Sequence, residues 1–254
     1  MKQSTITLCI FFILNSLVSD VFAGELQIQS KVSNIYKNYG IQVYYNYNSS
    51  SFFPKKWQKP PISAQGQKLS LSKVERILPI IEKFLSAYPK QTIKRNLQKI
   101  YLLSELNFYG KSFGATNSRE AIYITSGEFK LGYSDIYLLG RMHSEFSSIL
   151  MRNYNFPEKA WNKLNPTNFK YGGSGVEMLG QKKLYGQTPE LLSKGFVVRY
   201  AQSSIENDFN MISDWMFTRR QRLLKLGVKY PRIKSKIGLA LEFYNSVDKK
   251  SRAK

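Results

Sequence analysis

The sequence predicts an α+β fold in a single domain, with a small mixed sheet followed by a mostly helical half. Three observations carry that expectation. Short apolar runs with strand character, Ile41–Tyr47, Leu97–Leu106 and Ala121–Thr125, lie in the first half. Apolar spacings of three and four start at Leu71 and dominate after Tyr133. No stretch repeats in tandem or falls into low complexity. The composition agrees, because 254 residues with 43% hydrophobic and 14% aromatic content can bury a sizeable core. A mean hydropathy of -0.34 with so many aromatics excludes a disordered chain.

In chain order, residues 24–37 read as a polar lead-in, and Ile41–Tyr47 alternates as a strand does. Asn48 to Gln67 is a loop in which Pro54, Pro60 and Pro61 oppose regular structure. Ser72 and Glu75 have the spacing of a capping box, and Leu71, Val74, Leu78, Ile81 and Leu85 form one stripe, with a kink or late start expected at Pro79. Strands follow at Leu97–Leu106 and Ala121–Thr125, then a helix from Tyr133 through Ile136, Leu139, Met142, Phe146 and Ile149. Tyr171-Gly172-Gly173-Ser174-Gly175 lacks the ending of a phosphate loop and reads as a substrate-side flap or a connector. Thr188-Pro189-Glu190 should open a helix reaching about Tyr200. A last one should span about Ser204 to Leu226, with Gly227 as its stop.

The amino terminus has the form of a signal peptide. Lys2 precedes an apolar stretch from Ile6 to Leu17, and Val21-Phe22-Ala23 stands before Gly24 as a processing site. A stretch of about a dozen apolar residues is short of the roughly 20 needed to span a bilayer. Export to the periplasm, the cell envelope or the medium is therefore expected. Cleavage also removes Cys9, the single cysteine, so the mature chain can build neither a disulfide nor a zinc–thiolate site. One histidine rules out a multi-histidine metal centre. The expected plan is a signal peptide over 1–23, the α+β domain over 24–217 and a basic segment over 218–254.

The formal net charge is +21. From Thr218 to Lys254, twelve basic residues face only Glu242 and Asp248. Such a segment attracts anionic lipid or an acidic polymer over a Debye length of about 8 Å, or it keeps an exported protein soluble. Nucleic acid is not an expected partner: no helix-turn-helix, aromatic RNA-binding pattern or zinc-finger spacing accompanies the charge.

Ala121-Ile122-Tyr123-Ile124-Thr125, followed by a helix containing His143-Ser144-Glu145-Phe146-Ser147-Ser148-Ile149-Leu150, resembles the core of gluzincin-type zinc metallopeptidases. In that family an edge strand precedes a helix bearing His-Glu-x-x-His. Two imidazoles one turn apart grip the metal, the glutamate activates water, and a later helix brings a third, carboxylate ligand. Glu145 to Leu150 is similar to the Glu-Phe-Ala-His-Ile-Leu wording of exported members. Tyr200-Ala201-Gln202-Ser203-Ser204-Ile205-Glu206-Asn207-Asp208-Phe209 resembles the tyrosine and third-ligand helix. More narrowly, the chain looks like small zinc metallohydrolases of Gram-negative envelopes, with the resemblance covering roughly residues 70–218.

The resemblance implies peptide-bond hydrolysis with zinc, Glu145 as base and Tyr200 as a helper for the oxyanion. It also implies ligands at positions held here by Ser144, Ser148 and Asn207. Hydroxyls and an amide are poor zinc donors beside the groups they replace, so zinc binding should be weak or absent. His143 and Glu206 are the substitute ligands, although each lies one residue, about 100° of helix, from the expected place. His143 could equally be a general base or a structural residue, and Glu206 and Asp208 an acidic first turn. Ser147-Ser148 lacks the flanking glycines of a nucleophile elbow. Two functions remain open: a metal-dependent hydrolase of peptide bonds, and a non-catalytic envelope protein that binds a peptide, protein or anionic polymer.

Overall fold

The computed structural model describes residues 23–46, 52–127, 133–173 and 184–252. Residues 1–22 of the proposed signal peptide, and Ser174 and Gly175 of the glycine loop, lie outside them. A helix, α1, occupies residues 23–39 where the sequence suggested a lead-in. Ile28, Val32, Ile35 and Tyr39 form its inward stripe, with Ile28 and Ile35 buried and the other two packed against the same core. Gly40, at φ +73°, ends it, and its N–H donates to Tyr36 O at 2.7 Å.

β1 (Gln42–Tyr44), β2 (Gln65–Lys68), α2 (Leu71–Ser86), α3 (Lys90–Asn96), β3 (Lys99–Phe108), β4 (Lys111–Ser112), β5 (Ala115–Asn117) and β6 (Ala121–Thr125) follow. The sheet runs β1–β3–β6–β5, with β1 and β6 parallel to β3, and with β2 and β4 antiparallel to it. β5 pairs antiparallel with β6 and forms the edge. The resemblance assigned the edge role to Ala121–Thr125; that strand is internal, since β5 covers it.

Side chains alternate across the sheet. Ile100, Leu102, Ile122 and Ile124 face the helices, while Tyr101, Leu103 and Tyr123 face a second cluster with Phe53, Leu106 and Phe108. There Tyr44, Tyr101 and Tyr123 stack at 4.8 Å between successive rings. Both faces are therefore covered.

α2 begins at Leu71 after Ser70, without a side-chain cap, so the Ser72–Glu75 box does not form. The helix continues through Pro79 and buries Val74, Ile77, Leu78, Ile81, Phe84 and Leu85. α4 (Asp135–Asn153) is capped by Ser134, whose Oγ accepts from Tyr137 N at 3.3 Å. A short α5 (Glu158–Lys163) follows. Thr188 caps α6 as the sequence suggests, but α6 (Pro189–Ser193) is short, because Gly195 at φ +90° turns the chain before a 3-10 turn at Arg199–Gln202.

The expected Ser204–Leu226 helix is two helices. α7 (Ile205–Thr218) is capped by Ser204, and Arg219, at ψ 38°, separates it from α8 (Arg220–Lys229). Gly227 is not a stop; it lies buried inside α8, where a Cβ would press on Ile237 at 3.2 Å. α9 (Pro231–Arg252) was not foreseen. Ile233, Ile237, Ala240, Phe243 and Val247 bury its apolar stripe, so the basic segment is folded into the core rather than trailing from it. No helix among the described residues is long and apolar enough to cross a membrane.

Candidate functional site

α4 and α7 lie against each other, and their contacts run in opposite directions along the two helices. Arg141 Nη2 donates to Asp214 Oδ2 at 2.7 Å. Ser144 Oγ donates to Asn210 O at 3.3 Å, and Ser148 Oγ accepts from Asn210 Nδ2 at 2.7 Å. Arg152 Nη1 reaches Glu206 Oε1 at 3.6 Å. The α4 positions recur at spacings of three and four and so share one face. Gly140 permits the close approach at one end, since a Cβ there would collide with the Asp214 carboxylate.

Glu145 lies on this face, partly buried, at the edge strand of the sheet. Asn117 Nδ2, from β5, donates to Glu145 Oε2 at 2.5 Å. Arg152 in turn donates to Asn117 Oδ1 and to Ser118 O, the latter at 3.0 Å. Burial pushes the Glu145 carboxyl up to about 7; Asn117 and Arg141 oppose the rise and Glu206 adds to it. Such a carboxyl exchanges protons near neutrality, as a general acid or base must. Tyr200 belongs to the same neighbourhood. Its phenol is raised by burial first, then by Tyr185, Glu145 and Glu206, and its ring lies 5.9 Å from that of Tyr185.

The structure thus brings Glu145, Tyr200 and Glu206 together. It places His143 elsewhere. His143 is 1% exposed, stacks on Phe217 at 4.2 Å, meets Phe84 edge-on and shares a hydrogen bond of 2.8 Å with the Tyr88 hydroxyl through Nδ1. Burial, with Lys83 adding to it, lowers its pKa to about 3, so the imidazole is a neutral part of the aromatic core. Glu206 is half exposed and held by Arg152, a cation lodged where a metal ligand would need open access.

Of the positions that the resemblance marks for ligands, the two on α4 meet a common partner on α7. Ser144 and Ser148 are each 1% exposed and both engage Asn210, one turn beyond Asn207 on α7. Asn207 Nδ2 donates to Ser203 Oγ at 2.8 Å. Two hydroxyls and an amide already hydrogen-bonded to protein carry no charge for a dication. No group of three His, Cys, Asp or Glu side chains suited to a metal occurs among the described residues. The donor set does not fit zinc.

Asn117, Asn210, Arg152 and the Arg141–Asp214 pair escaped the sequence reading. The spacing of Arg141, Glu145, Ser148 and Arg152 was the available signal; their partners on β5 and α7 were not.

An open mixed sheet with α4 packed on β5 and β6, and α7 antiparallel against α4, is a metallopeptidase-like fold. The chain belongs to the family described as "Putative zinc-binding metallo-peptidase", which matches residues 29–236. A solved structure with a similar fold is "a putative zinc-binding metallo-peptidase from Bacteroides caccae". The TM-score is 0.52 at 15% identity, covering 88% of this chain and 92% of that one. No curated protein matches the chain.

Proposed function

We propose that the protein is an exported, metallopeptidase-like binding protein of the cell envelope, which keeps the family's cleft and has lost its zinc. One observation carries this reading: at the positions that the resemblance marks for ligands, Ser144 and Ser148 are engaged by Asn210 across the α4–α7 interface and Asn207 by Ser203. The face of α4 that carries Arg141 and Glu145 then binds a peptide or protein segment without cutting it. The basic segment offers a second surface, suited to anionic lipid or polymer.

A second reading, a working peptide-bond hydrolase, is favoured by one feature, the Glu145 carboxyl poised at about 7 beside Tyr200. Elemental analysis of purified mature protein, with a peptidase assay before and after chelation, separates the two. Substoichiometric zinc and no chelator-sensitive cleavage are expected. Stoichiometric zinc, released together with activity, would overturn the binding-protein reading.

A further inference from the structure

A cavity of about 570 Å³ opens beside the α4–α7 pair, lined by Tyr137, Arg141, Tyr185, Trp215, Arg219 and Arg222 among others. Its charge is unbalanced. Three guanidiniums face one carboxylate, Asp214, which Arg141 engages at 2.7 Å and Arg219 at 3.1 Å. Arg222 donates to a neutral acceptor, Gln187 Oε1 at 2.7 Å. Arg141 is 8% exposed, and its Nε–H has no acceptor among the described residues. A buried donor left unpaired is unfavourable, and the surplus of guanidiniums leaves a net positive charge beside the cavity that an anion would balance.

The arginines are also held ready. Arg219 and Arg222 lie over the Trp215 ring at 5.8 and 5.1 Å, and Arg141 over Tyr137 at 5.5 Å. Stacking fixes guanidinium planes before a ligand arrives, which lowers the entropy lost on binding. Asp214 disfavours a dianion more than a monoanion, and a planar carboxylate matches the fork of a guanidinium.

We propose that this cavity binds the C-terminal carboxylate of a peptide, with Arg141, Arg219 and Arg222 as its anion-binding residues and the Tyr137, Tyr185 and Trp215 rings flanking the terminal side chain. The assignment rests on the reading of the cleft as a peptide-binding site. Arg141 and Glu145 are one helical turn apart, about 6 Å along the axis. A ligand held at Arg141 therefore lies on the face of α4 that also carries Glu145.

Calorimetric titration of the full mature chain tests this with benzoyl-Gly-Phe as free acid and as C-terminal amide. The acid should bind at least about ten-fold more tightly, as a charge-assisted pair supplies. Arg219→Gln and Arg222→Gln, both near the surface, should each move that ratio toward one while circular dichroism stays unchanged. Equal binding of acid and amide, no binding of either, or a ratio untouched by both variants would overturn the proposal. So would inorganic phosphate displacing the acid more effectively than benzoate, which would assign the cavity to phosphate. The metal question fails separately, because zinc content and hydrolysis on the same preparation do not enter the acid-to-amide ratio.

Discussion

Asp208 of α7 and Lys236 of α9 meet at 2.6 Å with neither side chain exposed to solvent. The same carboxylate oxygen, Oδ2, accepts from Trp161 Nε1 at 2.9 Å and from the Tyr171 hydroxyl at 2.8 Å. The ammonium lies over the Phe196 ring at 4.1 Å. Burial pushes the Asp208 carboxyl up and the Lys236 amine down, and their mutual attraction opposes both shifts. The residue after the Asn207 position is thus tied to the last helix, so α9 anchors the start of α7.

Breaking this pair from one side strands a charge in the interior. Asp208→Asn should destabilise the protein by about 3–5 kcal/mol, since Lys236 loses the carboxylate that pairs with it in the core. Lys236→Met leaves Asp208 with the Trp161 and Tyr171 donors and should cost less. The double variant should recover much of the loss, because two neutral groups of similar shape need no mutual compensation. Urea unfolding of the four proteins reads the coupling; strictly additive losses would show that the pair is not the unit holding α9.

How far the sequence reveals this arrangement depends on what each residue must consult. Ala121–Thr125 is legible to the residue because an uninterrupted run of strand-favouring side chains needs no partner to be recognised. α1 is not, since Ile28, Val32, Ile35 and Tyr39 make a sparse inward stripe, while Leu26 and Tyr36 are exposed and most other positions are polar. α9 hides its stripe among lysines and arginines in the same way. The break at Arg219 leaves no trace, as neither glycine nor proline marks it. In the site, Glu145 and the three ligand positions follow from local wording. Asn117 and Asn210 become functional only through contacts across the fold. His143 drew attention by scarcity, yet two residues of helix rotate it about 200° from Glu145, onto the aromatic core.

That opposition has a pH signature. His143 titrates at 6.5 when free and at about 3 when folded, so between those values the unfolded chain takes up a proton that the folded one refuses. Its contribution is full above 6.5 and is lost as pH falls toward 3. Glu145, raised from 4.5 to about 7, keeps a proton in the folded state, so its contribution is full below 4.5 and is lost as pH rises through 7. Between 4.5 and 6.5 the two slopes, each at most about 1.4 kcal/mol per pH unit, oppose one another. His143→Gln should leave stability falling as pH rises from 4.5 to 7. Glu145→Gln should leave it falling as pH drops from 6.5 to 3. Denaturation free energies from pH 4 to 8 check this, and three parallel curves would contradict it.

The basic segment calls for charge substitution rather than truncation. Deleting 218–254 removes α8 and α9 with Leu223, Ile233, Phe243 and Val247 from the core and should unfold the protein. Arg220, Lys225, Lys229, Lys234 and Lys249 are exposed, whereas Lys236 is buried and contributes nothing to the surface field. Replacing those five by glutamine should weaken adsorption to vesicles of anionic phospholipid and flatten its dependence on salt, because fewer counterions are released. Undiminished, equally salt-sensitive adsorption would remove the segment from consideration as a binding surface.

The ligand positions can be tested by restoring what the resemblance implies. Ser144→His with Ser148→His places two imidazoles one turn apart on the face of α4 that meets Asn210. Both sites are buried, so the larger rings should cost about 1–3 kcal/mol through overpacking, in addition to the Asn210 hydrogen bonds. Two neutral donors alone should bind zinc weakly. Adding Asn207→Glu supplies a charged third donor from α7 and completes the ligand count of a catalytic zinc site. Zinc that binds the folded state alone must then stabilise it by linkage, so the triple variant should melt lower than the native protein in chelator and recover several degrees with zinc. The native chain should show no such shift. A triple variant that folds, yet melts identically with zinc and with chelator, would show that these three positions do not face a common point, and with that the descent of the cleft from a zinc site would lose its structural support.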